Sequence, residues 1–238
     1  MNILIVRSHL SHIPAPGNLL ALLFMLLPLA CGTHSSALRS TDRIVFFGDS
    51  ITQLGDKPNG YVAIIRDSLS KRDPGIAVLG AGISGNKVTD LQVRLDRDVL
   101  SKHPTIVVMY IGINDVWHFA LNGHGTPKDL FESGLRDIIT KIQGEGARVI
   151  LCTPSVVGEK HHGENPLDAQ LDEYSQIGRR VAESFGVTLC DLRKGFADYL
   201  QTNNAGNKDR GVLTTDSVHL NDSGNRFVAS MILAVLPH

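Results

Sequence analysis

Arg43-Ile44-Val45-Phe46-Phe47-Gly48-Asp49-Ser50-Ile51-Thr52 is the stretch that decides the fold. Its apolar residues are β-branched and aromatic, as in a strand buried on both faces. Gly48 breaks the run, and a polar Asp-Ser-Ile-Thr follows at once. A parallel strand ending in a small polar turn delivers side chains to the carboxyl edge of its sheet, where open α/β sheets bind ligands. Ser50 therefore stands where a nucleophile is expected. Taken alone, the same residues also read as a strand followed by an ordinary Ser/Thr turn.

Outward from this stretch, strand-like and helix-like segments alternate. Residues 60–72 carry Tyr61, Ile64, Ile65, Ser68 and Leu69 at helical spacing, and Asp73-Pro74-Gly75 makes a turn. A short apolar run at 76–79 precedes a helical pattern at 88–100 with Val88, Leu91, Leu95 and Val99. Residues 105–110 form the most strand-like segment of the chain. The spacing next predicts a helix over 128–143 that buries Leu130, Leu135, Ile138, Ile139 and Ile142, closed by Gly144 and Gly146. A strand at 148–152, a helix at 167–185, a strand at 187–190 and a helix at 222–236 complete the series. Strict alternation predicts a three-layer α/β/α domain over residues 42–238. Its sheet is expected to be five-stranded, parallel and flavodoxin-like, in the order 2-1-3-4-5.

The N-terminal part reads differently. Residues 19–30 form an uncharged apolar run, too short to span a bilayer comfortably but matched to the core of a secretory signal. Cys31 follows Leu29-Ala30, as at a bacterial lipoprotein processing site, although Pro28 replaces the usual Leu. Residues 1–31 are thus expected to be a signal peptide or lipoprotein signal and polar residues 32–41 a tether. The protein would be exported, to the periplasm, the exterior or a membrane surface. With 238 residues and a formal net charge of −1, nothing argues for nucleic acid or an acidic partner. Contact with membrane is expected only through a lipid on Cys31. Cys152 and Cys190 each end an apolar run and read as two buried free thiols.

Three turns follow the first three strands: the one holding Ser50, Gly80-Ala81-Gly82-Ile83-Ser84-Gly85-Asn86, and Ile111-Gly112-Ile113-Asn114-Asp115. In the expected strand order, Gly85 and Asn114 flank Ser50. A glycine N–H and a side-chain amide are donors suited to a developing oxyanion. A nucleophilic serine also needs a base and a group to orient it. Asp216-Ser217-Val218-His219 offers both on one turn, though a lone pair at this spacing also occurs as a cap and a surface histidine.

Gly48-Asp49-Ser50, Gly85-Asn86, Gly112-Ile113-Asn114-Asp115 and Asp216-Ser217-Val218-His219 together resemble the four blocks of the SGNH hydrolases, also called GDSL esterases and lipases. They stand in the family's order and span nearly the whole domain. The resemblance implies a serine esterase with no cofactor and no metal, acting on a small ester. It implies Ser50 as nucleophile, His219 as base and Asp216 as its orienter. The Ser50 and Gly85 N–H groups and the Asn114 side chain would form the oxyanion hole. Asp49 and Asp115 are expected to brace their turns through backbone hydrogen bonds. Gly80 or Ala81 stands where the family usually has an asparagine. Within the family the chain looks most like compact esterases such as isoamyl acetate-hydrolysing esterase and lysophospholipase L1-like proteins.

Other readings compete. Gly80-x-Gly82-x-x-Gly85 matches a dinucleotide fingerprint, but it follows the second strand and no acid ends the third to hold a ribose. His161-His162-Gly163-Glu164 reads as a solvated loop rather than a metal site. Trp117, His118 and Phe119 either line the cleft or cap the core. Residues 156–168 form the longest candidate cleft loop, and they are mostly polar. An acyl tunnel needs apolar walls, so a short acyl group, acetyl foremost, on a polar alcohol such as a sugar is expected. A lysophospholipase or thioesterase of the same family and a non-catalytic carbohydrate-binding protein are the alternatives.

Overall fold

The computed structural model describes residues 37–237, together with Met1 and Leu4. The expected signal at 1–31, with Cys31 and all but Met1 and Leu4, and the first half of the tether, 32–36, lie outside the described residues. Among the described residues, no helix is long and apolar enough to cross a membrane. All elements lie in the unit from Ser35 to His238.

A turn closed by the Asp42 side chain on the Arg39 N–H leads into β1 (Arg43–Gly48). Ile44 to Phe47 are wholly buried, as a strand covered on both faces requires. The elements that follow are α1 (Ser50–Gly55), α2 (Tyr61–Arg72), β2 (Ala77–Gly82), α3 (Val88–Asp98), β3 (Ile106–Tyr110), α4 (Ile113–Asn122) and α5 (Lys128–Gly144). Then come β4 (Arg148–Cys152), α6 (Asp168–Phe185), β5 (Thr188–Cys190), α7 (Leu192–Asn203) and α8 (Asp222–Val235). All strand pairs are parallel, in the order β2-β1-β3-β4-β5, with helices on both sides. On the helical layers α2 packs on α8, and α5 lies between α3 and α6.

Register places the site. Gly48 pairs with Gly82 on one side and Tyr110 on the other. The first three strands thus end level, and the turns after them leave the same sheet edge. Gly82 sits where α1 crosses β2: an added Cβ would lie 2.1 Å from the Gln53 nitrogen. Gly80 and Gly82 belong to a strand that packs closely on α1 and the residues after it, which accounts for the glycine spacing without a dinucleotide.

Several expectations need correction. In α5, Leu130 is 49% exposed and Phe131 takes its place in the core, its ring tilted by 48° against that of Tyr174 at 4.9 Å. The buried row 131, 134, 135, 138, 139, 142 keeps helical spacing, and Leu130 falls one residue outside it. Helices α1, α4 and α7 form where turns or unassigned sequence were expected. The last is capped by the Asp191 carboxylate, which accepts from Lys194 N–H. Cys152 and Cys190 are register partners, buried and free.

Candidate active site

Asp49 caps α1, its Oδ1 accepting from Ile51 N–H at 2.9 Å, and the cap aims Ser50 off the end of β1. Ser50 is 8% exposed, and its Oγ lies 2.9 Å from His219 Nε2. On the far side of the ring, Nδ1 lies 2.7 Å from Asp216 Oδ2. A carboxylate there selects the tautomer with the proton on Nδ1, leaving Nε2 to accept from the hydroxyl. Asp216 Oδ1 accepts from the N–H groups of His219 at 2.7 Å and Val218 at 3.2 Å. Partial burial alone would raise the Asp216 carboxyl; the bonds from the His219 ring and these two amides outweigh it and hold the group below its ordinary value. Ser217, between them, adopts φ +78°, a left-handed backbone for a residue with a side chain, such as functional turns retain.

The other two turns arrive beside Ser50. Gly85 has φ +77°, and a Cβ added there would meet nothing within 4 Å, so its backbone faces open space. Asn114 stands in the first turn of α4, 3% exposed, with Nδ2 donating to Asn86 O at 3.0 Å. One amide hydrogen is thereby engaged, and the amide carries a second hydrogen. The structure thus brings Ser50, Gly85, Asn114, Asp216 and His219 to one sheet edge.

Beneath them lie two buried carboxylates. Asp115 accepts from Val88 N–H at 3.0 Å, tying α4 to the start of α3. As with Asp49, its bond to a backbone amide braces a turn. Burial pushes Asp49 up to about 7 and Asp115 up to about 6; for Asp49 the nearby Asp115 charge adds to the rise.

Sequence reasoning missed Arg94. This buried α3 arginine donates from Nε to Asn86 Oδ1 at 2.6 Å and from its terminal nitrogens to Gly48 O at 2.6 Å and Ala81 O at 2.9 Å. Its guanidinium stacks on Phe47, 4.5 Å from the ring centre. It supports the second turn, where Gly80 and Ala81 supply no side chain for the purpose. A signal existed: Arg94 lies three residues after Leu91, on the inner face of α3.

The loop at 156–168 differs from its expected part. Many of its polar groups are engaged within the protein, while Lys160, His162 and Glu164 stay exposed. Asp168 accepts from the N–H groups of Gly163 and Asn165 and pairs with buried Arg193 at 2.7 Å. His161 Nε2 meets Asn204 O and His162 meets Asp172. Trp117 packs against the core, while Phe119 is 37% exposed and covers Gly125. Among the described residues, no cluster of three His, Cys, Asp or Glu could hold a metal ion.

The model of the GDSL-like lipase/acylhydrolase family matches residues 46–227. An acetylxylan esterase of Geobacillus stearothermophilus is 30% identical over 212 residues, covering 82% of this chain and 93% of that protein. The uncharacterized lipoprotein YqeF of Bacillus subtilis is 26% identical, covering 87% of this chain and 93% of its own. The crystal structure of the acetyl xylan esterase AlAXEase superimposes with a TM-score of 0.79 at 46% identity, over 81% of this chain and 98% of that one. The chain belongs to the GDSL-like lipase/acylhydrolase family and is an esterase of the SGNH type.

Proposed function

We propose that the protein hydrolyses short-chain carboxylic esters, acetyl groups on carbohydrate foremost, through an acyl-enzyme on Ser50. The hydrogen-bonded chain Ser50–His219–Asp216 carries this reading. As His219 Nε2 takes the hydroxyl proton, Ser50 Oγ attacks the ester carbonyl and the carbonyl π pair moves to oxygen. The Ser50 and Gly85 N–H groups and the Asn114 amide stabilise that oxyanion. Collapse expels the alcohol, which receives the proton from His219. Water then repeats the sequence on the acyl-enzyme, releasing the acid and restoring Ser50. A non-catalytic binding protein would have no use for nucleophile, base, orienter and oxyanion donors in one place.

Support for acetyl and for sugar comes from the relatives described as acetylxylan esterases. The loop at 156–168 gives none, because its buried polar groups, Glu159, Asn165 and Asp168, bond within the protein. The test is kcat/KM across p-nitrophenyl esters from acetyl to decanoyl, with acetylated xylo-oligosaccharide and lysophospholipid beside them. The expected maximum is at acetyl. A maximum at eight carbons or more would favour the lysophospholipase or thioesterase reading and leave the serine mechanism standing.

We also propose that residues 1–31 are an export signal, 32–41 a tether and 42–238 the catalytic domain. The apolar run before Cys31 supports this, as does a relative described as a lipoprotein. Mass spectrometry of protein from its host is expected to find an N-terminus at residue 31, lipidated, or shortly beyond it. An intact Met1 would contradict export, and an unmodified terminus past Cys31 would contradict only the lipid.

A further inference from the structure

Asp216 and His219 are carried by a loop rather than a strand, and that loop needs an anchor. Residues 211–221 close on themselves: Gly211 N–H donates to Thr214 O at 2.9 Å, Thr215 N–H to His219 O at 2.8 Å, and Asn221 N–H to Leu213 O at 3.0 Å. The base of this closed loop is residues 212–214, and its three consecutive N–H groups converge on one side chain. Glu159 Oε2 accepts from Val212 N–H at 2.7 Å; Oε1 accepts from Leu213 N–H at 2.6 Å and from Thr214 N–H. Glu159 is wholly buried. Its own carbonyl accepts from Asn204 Nδ2, its N–H donates to Asp209 O, and the preceding Gly158 N–H donates to Ser217 O. Ser217 lies between Asp216 and His219. The Glu159 segment therefore grips the loop both at its base and at its tip.

A carboxylate withdrawn from water is costly unless hydrogen bonds replace its hydration. Three N–H groups turned to one point form a concave anion seat, occupied here by a side chain. We propose that Glu159 is a positioning residue for His219. It locks residues 212–214 so that the following turn holds Nε2 at hydrogen-bond distance from Ser50 Oγ. This rests on the catalytic reading above. Geometry of that kind matters because small misplacements of a base cost large factors in rate.

The test uses the full chain carrying Glu159→Gln. A glutamine presents one acceptor oxygen and one NH2, so it turns a donor toward amides that need an acceptor. Active sites are first counted with a serine-reactive phosphonate. In the variant, kcat per titrated site is expected to fall about tenfold or more, with KM for an aryl acetate within about twofold of wild type. The downfield proton resonance of the His219 Nδ1–H should broaden or vanish while circular dichroism stays native. Glu159→Asp, which keeps the charge, should recover part of kcat. An unchanged kcat per site and an unchanged imidazole resonance in folded Glu159→Gln would overturn the proposal. Should Glu159→Gln not fold, the same comparison on Glu159→Asp decides. Hydrogen exchange in the wild type is a further check: the amides of residues 212–214 must be protected like the core, and exchange at exposed-loop rates would overturn the proposal. Failure of the wild type to be labelled at Ser50 would instead strike the catalytic reading.

Discussion

Single residues divide by what sets them. Ser50, Asp216, His219, Gly85 and Asn114 could be proposed from the sequence because the chemistry asks for those residue types at particular turns, and the structure brings them to one sheet edge. Asn114→Ala is expected to lower kcat on the order of 10²- to 10³-fold, as loss of one oxyanion donor does. Steady-state kinetics on an acetyl ester checks this, and a fall of less than about threefold would remove Asn114 from the hole. Asp216→Asn should lower kcat by about 10⁴-fold, because an amide at Oδ2 supports the wrong tautomer of His219. Near-wild-type turnover would mean that the Nδ1 contact does not orient the base. Arg94 and Glu159 were not singled out. The spacing after Leu91 places Arg94 on the inner face of α3, but only tertiary contacts reveal which carbonyls and amides Arg94 and Glu159 hold.

Elements were legible where a buried face repeats at one period. β1 and β3 read directly because every position from Ile44 in β1, and every position of β3, is buried. In α5 the period was right and the first buried residue was off by one. Phe131→Ala is accordingly expected to cost about 3–5 kcal/mol, as an aromatic deletion from a packed core does. Leu130→Ala should stay within about 0.5 kcal/mol, because half of that side chain already meets water. Denaturant titration of both variants checks the pair, and equal losses would contradict the packing. Helix α7 escaped notice although Leu192, Phe196 and Leu200 repeat every four residues. Gly195 in its middle weakens the local signal. The structure gives the reason for the glycine, since a Cβ there would lie 2.5 Å from the Met231 side chain of α8. Helices α1 and α4 hid inside the motifs, whose polar residues read as turns while serving as first-turn positions.

At the scale of the whole molecule, the alternation of patterns carried the topology: the strands and the crossover helices α2, α3, α5 and α6 showed enough of their patterns to fix the strand order. The loops 153–167 and 204–221 had no period to read, since they are held by irregular backbone bonds and by side-chain to backbone bonds. The buried acids give the folded state a pH dependence of its own. Asp49 and Asp115 titrate from an ordinary 3.8 in the unfolded chain, but at about 7 and about 6 in the fold. Between those limits the folded protein keeps protons that the unfolded chain has lost. Stability therefore falls as pH rises from about 4 to about 7, by an amount on the order of a few kcal/mol. Urea midpoints measured across that range should decline, and Asp49→Asn should flatten the decline. A midpoint that rises steadily to neutrality in the wild type, with the same slope in Asp49→Asn, would contradict the burial of that acid.

The proposed chemistry turns on one oxygen atom, Ser50 Oγ. Its most direct test is to treat the folded protein with a serine-reactive phosphonate and map the adduct by peptide mass spectrometry, with residual esterase activity followed in parallel. One adduct per chain on Ser50, forming in step with loss of activity and absent from Ser50→Ala and from His219→Ala, is the predicted result. Activity that survives complete labelling of Ser50, or a folded Ser50→Ala protein that still turns over acetyl esters at the wild-type rate, would contradict it.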